Sequence, residues 1–161
     1  MAPSIVRKTT FFVIPLGLLV VLDQLTKGLI SRSIPVNTGR TVIAGFFNIV
    51  YVHNTGGAFS LFAASSHHWA VYALAAISVA VVGAIAYAYG KTRKGDNWSK
   101  VAYICVAGGA VGNLIDRIRL GEVTDFLDFH AGRLHWPAFN VADIAISTGA
   151  AMLLISLLRN R

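Results

Sequence analysis

Two aspartates stand in apolar surroundings in the last third of the chain. Asp125 lies in the segment EVTDFLDF and Asp143 lies in FNVADIA. Two carboxyl groups held close together in a low-dielectric site tend to share one proton, so that one acts as a base and the other as an acid. Such a pair activates water against a peptide carbonyl, which is the chemistry of aspartic proteases. We therefore predict that Asp125 and Asp143 form a catalytic pair.

Other polar residues near these aspartates have structural alternatives that the sequence leaves open. Asp23 and Lys27 are spaced i, i+4, so they could simply neutralise each other on one helix face. Arg117 could extend to lipid headgroups as an ordinary interfacial arginine. Asn140 and Asp143 flank the start of a predicted helix, where both residue types favour an N-terminus.

The sequence offers no rival catalytic mechanism. It contains no G-x-S-x-G, H-E-x-x-H or P-loop pattern, and its single cysteine excludes an intramolecular disulfide. His53, His67 and His68 lack the spacing of metal ligands. We expect no metal and no organic cofactor, because water would be the nucleophile.

The amino-acid composition is typical of a membrane protein. Of the 161 residues, 55% are hydrophobic and only 13% are charged, and the mean hydropathy is +0.63. A soluble domain carries roughly 25% charged residues. These values exclude a disordered chain, an acidic tail protein and a conventional small soluble enzyme.

Four apolar segments are each long enough to cross a hydrocarbon core of about 30 Å. They predict an all-α membrane protein of one domain, residues 1–161. Gly108 and Gly112 form a G-x-x-x-G pattern that allows two helices to approach closely. The predicted transmembrane helices cover residues 11–30, 69–90, 99–118 and 141–158.

The basic residues predict the orientation of these helices. Eight Lys and Arg residues lie in the two terminal flanks and the loop between the second and third spans, whereas five lie on the opposite side. By the positive-inside rule, both termini are then cytoplasmic. The net charge of +7 is explained by topology and by anionic phospholipid, so no nucleic-acid partner is needed.

The outer loops hold the remaining features. In the first outer loop, the segment TVIAGFFNIVYVH (residues 41–53) is dense in β-branched and aromatic residues, which predicts a small extracytoplasmic β platform. Six of the seven acids converge at the outer boundary, and only Asp96 is clearly cytoplasmic. Because carboxylates at a membrane are costly, their convergence indicates a functional site.

Five segments follow one another along nearly the whole chain: DQLTK (23–27), HNTGGAFS (53–60), GGAVGNLIDR (108–117), VTDF (123–126) and PAFNVADIAI (137–146). Together these segments, in this order, resemble the prokaryotic lipoprotein signal peptidases, which are the type II signal peptidases of the inner membrane. One departure is Gly57, which stands where many members have Ala.

The resemblance implies four transmembrane helices, cytoplasmic termini and a catalytic dyad at Asp125 and Asp143 near the periplasmic face. It implies cleavage of a diacylglyceryl-modified prolipoprotein immediately before its lipid-bearing cysteine, in the bacterial inner membrane among phospholipids. We expect the chain to act as a monomer. The residues implied to bind substrate or support the dyad are Asp23, Lys27, Asn54, Gly56, Asn113, Arg117 and Asn140.

Two other classes of function compete with the peptidase. A small proton-coupled transporter would use an intramembrane acid such as Asp23, but it would place that acid near the midplane at a repeat interface. A membrane assembly or lipid-binding subunit would explain the platform and Arg117, yet it leaves the paired acids unexplained.

Overall fold

The computed structural model describes residues 2–54 and 69–159, and for residues 2–9 and 70 it describes the backbone alone. Along the chain, one helix is followed by two strands, two helices, two further strands and a last helix. The elements are α1 (Ala2–Ser33), β1 (Thr38–Ile43), β2 (Phe47–Asn54), α2 (Trp69–Lys91), α3 (Asn97–Leu120), β3 (Val123–Ala131), β4 (Leu134–His135) and α4 (Val141–Arg159).

The four predicted spans are all helical. Within the described residues, four helical stretches are long and apolar enough to cross a membrane: Thr10–Ser33, Val71–Lys91, Asn97–Leu120 and Val141–Arg159. Their outer faces expose large apolar side chains, such as Leu18 at 66% and Tyr72 at 73%. Leaving such area in water costs about 25 cal/mol per Å². These faces therefore fit hydrocarbon, and the prediction of four apolar spans is confirmed.

The small sheet is larger than the sequence predicts. Four antiparallel strands run in the order β1-β2-β3-β4, so the segment between α3 and α4 contributes half of them. The sequence predicts strands in the first loop alone, because the charged residues Asp125 and Asp128 lower the strand propensity of β3. The register pairs Val52 with Asp125 and Asn54 with Val123. This pairing places Asp125 beside the end of β2.

Helix α3 packs against α1, α2 and α4, and glycines make the close approaches possible. A Cβ at Gly108 would lie 2.6 Å from Leu19 Cδ2, and one at Gly112 would lie 2.6 Å from Asp23 Oδ2. Both glycines of the G-x-x-x-G pattern thus face α1, which confirms that the pattern serves helix packing. On the other side of α3, a Cβ at Gly149 of α4 would lie 2.6 Å from the carbonyl oxygen of Ala102.

A buried ion cluster joins the helices at the end where the sheet lies. Lys27 Nζ lies 2.9 Å from Asp23 Oδ2 and 2.9 Å from Asp116 Oδ2, and all three side chains are buried. The i, i+4 pairing of Asp23 with Lys27 is therefore present. The sequence did not predict that Asp116 would complete it.

Both carboxylates of this cluster also hold backbone groups of other elements. Asp23 Oδ1 accepts a hydrogen bond from the backbone N–H of Ala142 at 3.0 Å, in the first turn of α4. Asp116 Oδ2 accepts one from the backbone N–H of Thr124 at 3.2 Å, in β3. The cluster consequently fixes the starts of β3 and α4 relative to α1 and α3.

A Gly149→Val substitution should destabilise the protein, because its side chain would overlap the backbone of α3. Overpacking of this kind costs about 1–3 kcal/mol. The midpoint of thermal unfolding in detergent measures the effect. Gly83→Val in α2 is the matched control, since a Cβ there meets nothing within 4 Å. Equal midpoints for the two variants would contradict the close α3–α4 packing.

A Lys27→Met substitution should be more damaging, because it leaves two buried carboxylates without their cation. Breaking a buried ion pair in this way costs about 3–5 kcal/mol. Lys94→Met, at an exposed site between α2 and α3, changes the same charge and should unfold at the temperature of the unsubstituted protein. Adding Asp23→Asn to Lys27→Met should restore part of the loss; no recovery would argue against the charge explanation.

Candidate active site

Asn140 connects the two aspartates that the sequence singles out. It lies directly before α4 and is fully buried. Its Oδ1 accepts a hydrogen bond from the backbone N–H of Asp143 at 3.0 Å, and its own N–H donates to Asp143 Oδ2 at 3.2 Å. This reciprocal pair is a capping box. Its Nδ2 donates to Asp125 Oδ1 at 2.7 Å, so Asn140 both caps the helix and belongs to the site.

Asp125 is buried within β3, with 2% of its surface exposed. Its Oδ2 accepts a hydrogen bond from Asn54 Nδ2 at 2.9 Å. Burial raises the pKa of Asp125 from 3.8 to about 7, with a contribution from the charge of Asp143, although the hydrogen bonds of Asn54 and Asn140 oppose the rise. This carboxyl group therefore retains a proton up to neutral pH.

Asp143 has a different environment in the first turn of α4. Its Oδ1 accepts a hydrogen bond from Asn113 Nδ2 at 2.8 Å, while Oδ2 is held by the N–H of Asn140. The N-terminus of a helix also favours a negative charge. Asp143 thus accepts its hydrogen bonds at the start of a helix, whereas Asp125 accepts its hydrogen bonds within a buried strand.

Both aspartates line one cavity of about 790 Å³. Arg117 and Asn113 of α3 and Asn54 of β2 also line this cavity. Arg117 therefore lies at the same cavity as the two aspartates. The apolar part of the wall comes from α2, α3 and α4, through Ile77, Val81, Val106, Ala110, Ile144 and Ile146.

The remaining predicted residues lie one layer behind the cavity or outside the described part of the chain. Lys27 Nζ reaches the site through Asn113 Oδ1, to which it donates at 3.0 Å. Asp23 supports Lys27 in turn. Gly56 lies outside the described residues.

Asp116 was not among the predicted site residues. It holds Lys27 and the start of β3, and its Oδ1 accepts a hydrogen bond from Gln24 Nε2 at 2.9 Å. The available signal was its spacing of three residues from Asn113, which places the two on one helix face.

This arrangement can carry out general acid–base catalysis. A carboxyl group whose pKa is raised to about 7 lies in one cavity with a second carboxyl group that accepts hydrogen bonds from N–H donors. Such a pair can both accept a proton from water and donate one to a substrate oxygen. The apolar wall beside it would exclude bulk water from an apolar ligand.

The known proteins whose sequences resemble this chain are signal peptidases of one family. The sequence model of signal peptidase (SPase) II matches residues 16–159. The lipoprotein signal peptidase of Syntrophotalea carbinolica is 47% identical over 139 residues, which cover 86% of this chain and 85% of that protein. That of Geobacter sulfurreducens is 45% identical over 149 residues, covering 92% and 91%.

A solved structure has the same fold. It is a bacterial membrane enzyme determined by the in meso method at 2.3 Å resolution, with a TM-score of 0.82 and 30% identity, and the match covers 92% of this chain and 87% of that one. A second such structure, at 1.9 Å resolution, matches with a TM-score of 0.78. By sequence over nearly its whole length, and by fold, the chain belongs to the signal peptidase II family.

Proposed function

We propose that this protein is a membrane aspartyl endopeptidase that removes the signal peptide from diacylglyceryl-modified prolipoproteins, cleaving immediately before the lipidated cysteine. One observation carries the proposal: Asn140 binds both Asp125 and Asp143, and these two aspartates line one cavity together with apolar side chains of three helices. Family membership supports the substrate class.

The two aspartates divide the reaction between them. Asp143 removes a proton from water, and the resulting hydroxide attacks the scissile carbonyl carbon. Asp125 gives its proton to the carbonyl oxygen, which forms a neutral tetrahedral intermediate. Asp143 then protonates the amide nitrogen, the C–N bond breaks, and Asp125 recovers its proton as the carbonyl reforms. The raised pKa of Asp125 supports its assignment as the initial acid, since a large fraction of this carboxyl group is still protonated at neutral pH.

The cavity walls fit the chemistry of the substrate. The membrane-spanning helices α2, α3 and α4 contribute apolar side chains to the cavity, beside a few polar residues such as Ser78 and Ser147. Apolar walls of this kind suit an apolar signal peptide within the bilayer. Arg117 and Asn54 stand beside the aspartates, where their N–H groups can donate to peptide carbonyls and hold the scissile bond in place. Since all these residues come from one chain, the proposed active unit is a monomer.

The proposed orientation places the aspartates and the sheet at the extracytoplasmic face of the inner membrane, with both termini in the cytoplasm. The segment between α2 and α3, together with the adjoining ends of these helices, carries Lys91, Arg93, Lys94 and Lys100. Helix α3 separates this segment from β3 by 24 residues, or about 36 Å at 1.5 Å per residue. The positive-inside rule assigns the basic end to the cytoplasm.

Asp125→Asn and Asp143→Asn should each lower the cleavage of a lipidated precursor by about 10²–10⁴-fold, the usual contribution of a general acid or base. A gel-shift assay with purified protein measures the turnover. The control is Asp96→Asn: Asp96 caps α3 by accepting a hydrogen bond from the N–H of Ser99 at 3.0 Å, and asparagine caps equally well. Wild-type turnover by either variant would contradict the assignment of Asp125 and Asp143 as the catalytic pair.

The pH dependence of cleavage should follow the pKa of Asp125. Because that carboxyl group supplies a proton and its pKa is about 7, kcat/KM should fall as the pH rises above 7 with the loss of a single proton. A pH–rate profile between pH 5 and 9 measures this limb. An unchanged rate up to pH 9 would show that Asp125 is not the acid.

The stability of the folded protein should also fall as the pH rises. Above pH 3.8, the folded state binds the Asp125 proton more tightly than the unfolded state does. The free energy of unfolding therefore decreases as the pH rises towards 7, and Asp125→Asn should remove this contribution. Unfolding midpoints of both proteins at pH 5 and pH 8 test it without any activity measurement.

A further inference from the structure

A histidine and a glutamate meet beside the last residue pair of the β2–β3 ladder. The register pairs Asn54 with Val123 and His53 with Thr124. Glu122 joins α3 to β3 and is the diagonal neighbour of His53 on the same face of the sheet. Its Oε1 contacts His53 Nδ1. The contact therefore crosses the ladder directly beside the pair that contains Asn54.

The surroundings of the imidazole show which of its nitrogens carries the proton. His53 Nε2 is buried and has no hydrogen-bond partner among the described residues, so a proton on it would be an unsatisfied buried donor. A neutral imidazole with its proton on Nδ1 instead donates that proton to Glu122 Oε1. A hydrogen bond to a carboxylate is stronger than one between two neutral groups.

Tyr51 and Asp116 fix the same face of the sheet. The rings of Tyr51 and His53 meet edge to face, with their centroids 4.9 Å apart. Burial and the charges of Glu122 and Asp116 raise the pKa of Tyr51, so both carboxylates lie near this ring. Asp116 also holds the backbone N–H of Thr124, the strand partner of His53. This face therefore holds the ends of β2 and β3 together.

The opposite face of the same ladder carries the contact to the proposed acid. Asn54 is the last residue of β2, and its Nδ2 donates to Asp125 Oδ2 at 2.9 Å. Burial raises the pKa of Asp125, and this hydrogen bond opposes the rise. Element ends open more readily than their centres. The amide of Asn54 consequently keeps its place only while the end of the ladder stays closed.

We propose that His53 and Glu122 are positioning residues, whose hydrogen bond closes the end of the β2–β3 ladder and thereby holds the amide of Asn54 against Asp125. The proposal rests on the function proposed above. It adds a pair that acts on the proposed acid from the other face of the sheet. Asp143 of α4, Lys27 of α1 and Arg117 of α3 act on Asp125 by charge, and the substitutions below leave all three in place.

The pH dependence of kcat/KM for a lipidated precursor tests the proposal. Asn54→Ala removes the hydrogen bond that opposes protonation of Asp125, so the midpoint of the fall in rate should move to higher pH by about 1–2 pH units, as expected for a hydrogen bond to a charged group. Glu122→Ala retains the Asn54 amide but releases the ladder end, so the midpoint should move in the same direction by about 0.5–1 pH unit.

Two further variants separate positioning from a general loss of stability. Glu122→Gln keeps a side-chain oxygen that can accept from His53, so it should retain the wild-type midpoint. In the Asn54→Ala background, Glu122→Ala should cause no further shift, because the amide through which it acts is gone. The midpoint of a pH profile does not depend on the fraction of folded protein, so a partly unfolded variant still reports it.

His135→Ala is the matched control. His135 Nδ1 lies 2.9 Å from Asp128 Oδ1, which is the same kind of pair further along β3 and away from Asn54. This variant should keep the wild-type midpoint. Equal midpoints for the wild-type protein and Glu122→Ala, or equal shifts in Glu122→Ala and His135→Ala, would overturn the positioning proposal while the peptidase stands. Failure of the wild-type protein to cleave the precursor would instead overturn the proposed function.

Discussion

The candidate site depends on the ion pairs and the hydrogen bond that the ammonium group of Lys27 forms. A charge buried in a low-dielectric interior costs several kcal/mol unless it is paired and hydrogen-bonded. Lys27 meets this requirement with carboxylates from two helices and an amide oxygen from α3. Those carboxylates in turn hold backbone groups at the starts of α4 and β3. The segments that carry Asp143 and Asp125 are therefore positioned by one buried cation.

Asparagines transmit this positioning to the aspartates without adding charge. Asn113 accepts from Lys27 through its oxygen and donates to Asp143 through its nitrogen. Asn140 similarly caps α4 with its oxygen and binds Asp125 with its nitrogen. An amide can link a cation to a carboxylate because it is both acceptor and donor. The two carboxyl groups are thereby held in one cavity by neutral side chains.

The glycines of α3 and α4 allow this polar cluster to be enclosed by helices. The Gly112 backbone lies so close to Asp23 that a methyl group would displace the carboxylate from its partners. Small residues at helix interfaces serve close packing inside membranes, where helices gain little from burying apolar surface. Outer faces remain apolar for lipid, while the inner face of α3 is buried and includes Asn113 and Asp116.

The local sequence alone specifies the four membrane helices and the two candidate aspartates of this protein. Spans of about 20 apolar residues specify membrane helices by length and hydropathy alone, and isolated carboxylates in apolar segments identified Asp125 and Asp143 as candidates. The tertiary structure decided which groups meet. Lys27 and Asn113 are 86 positions apart, β3 forms in spite of its two aspartates because β2 pairs with it, and Asp116 acquires its partners only by packing. Periodicity and composition report the surroundings that a segment needs, whereas contacts between distant segments depend on how whole helices pack.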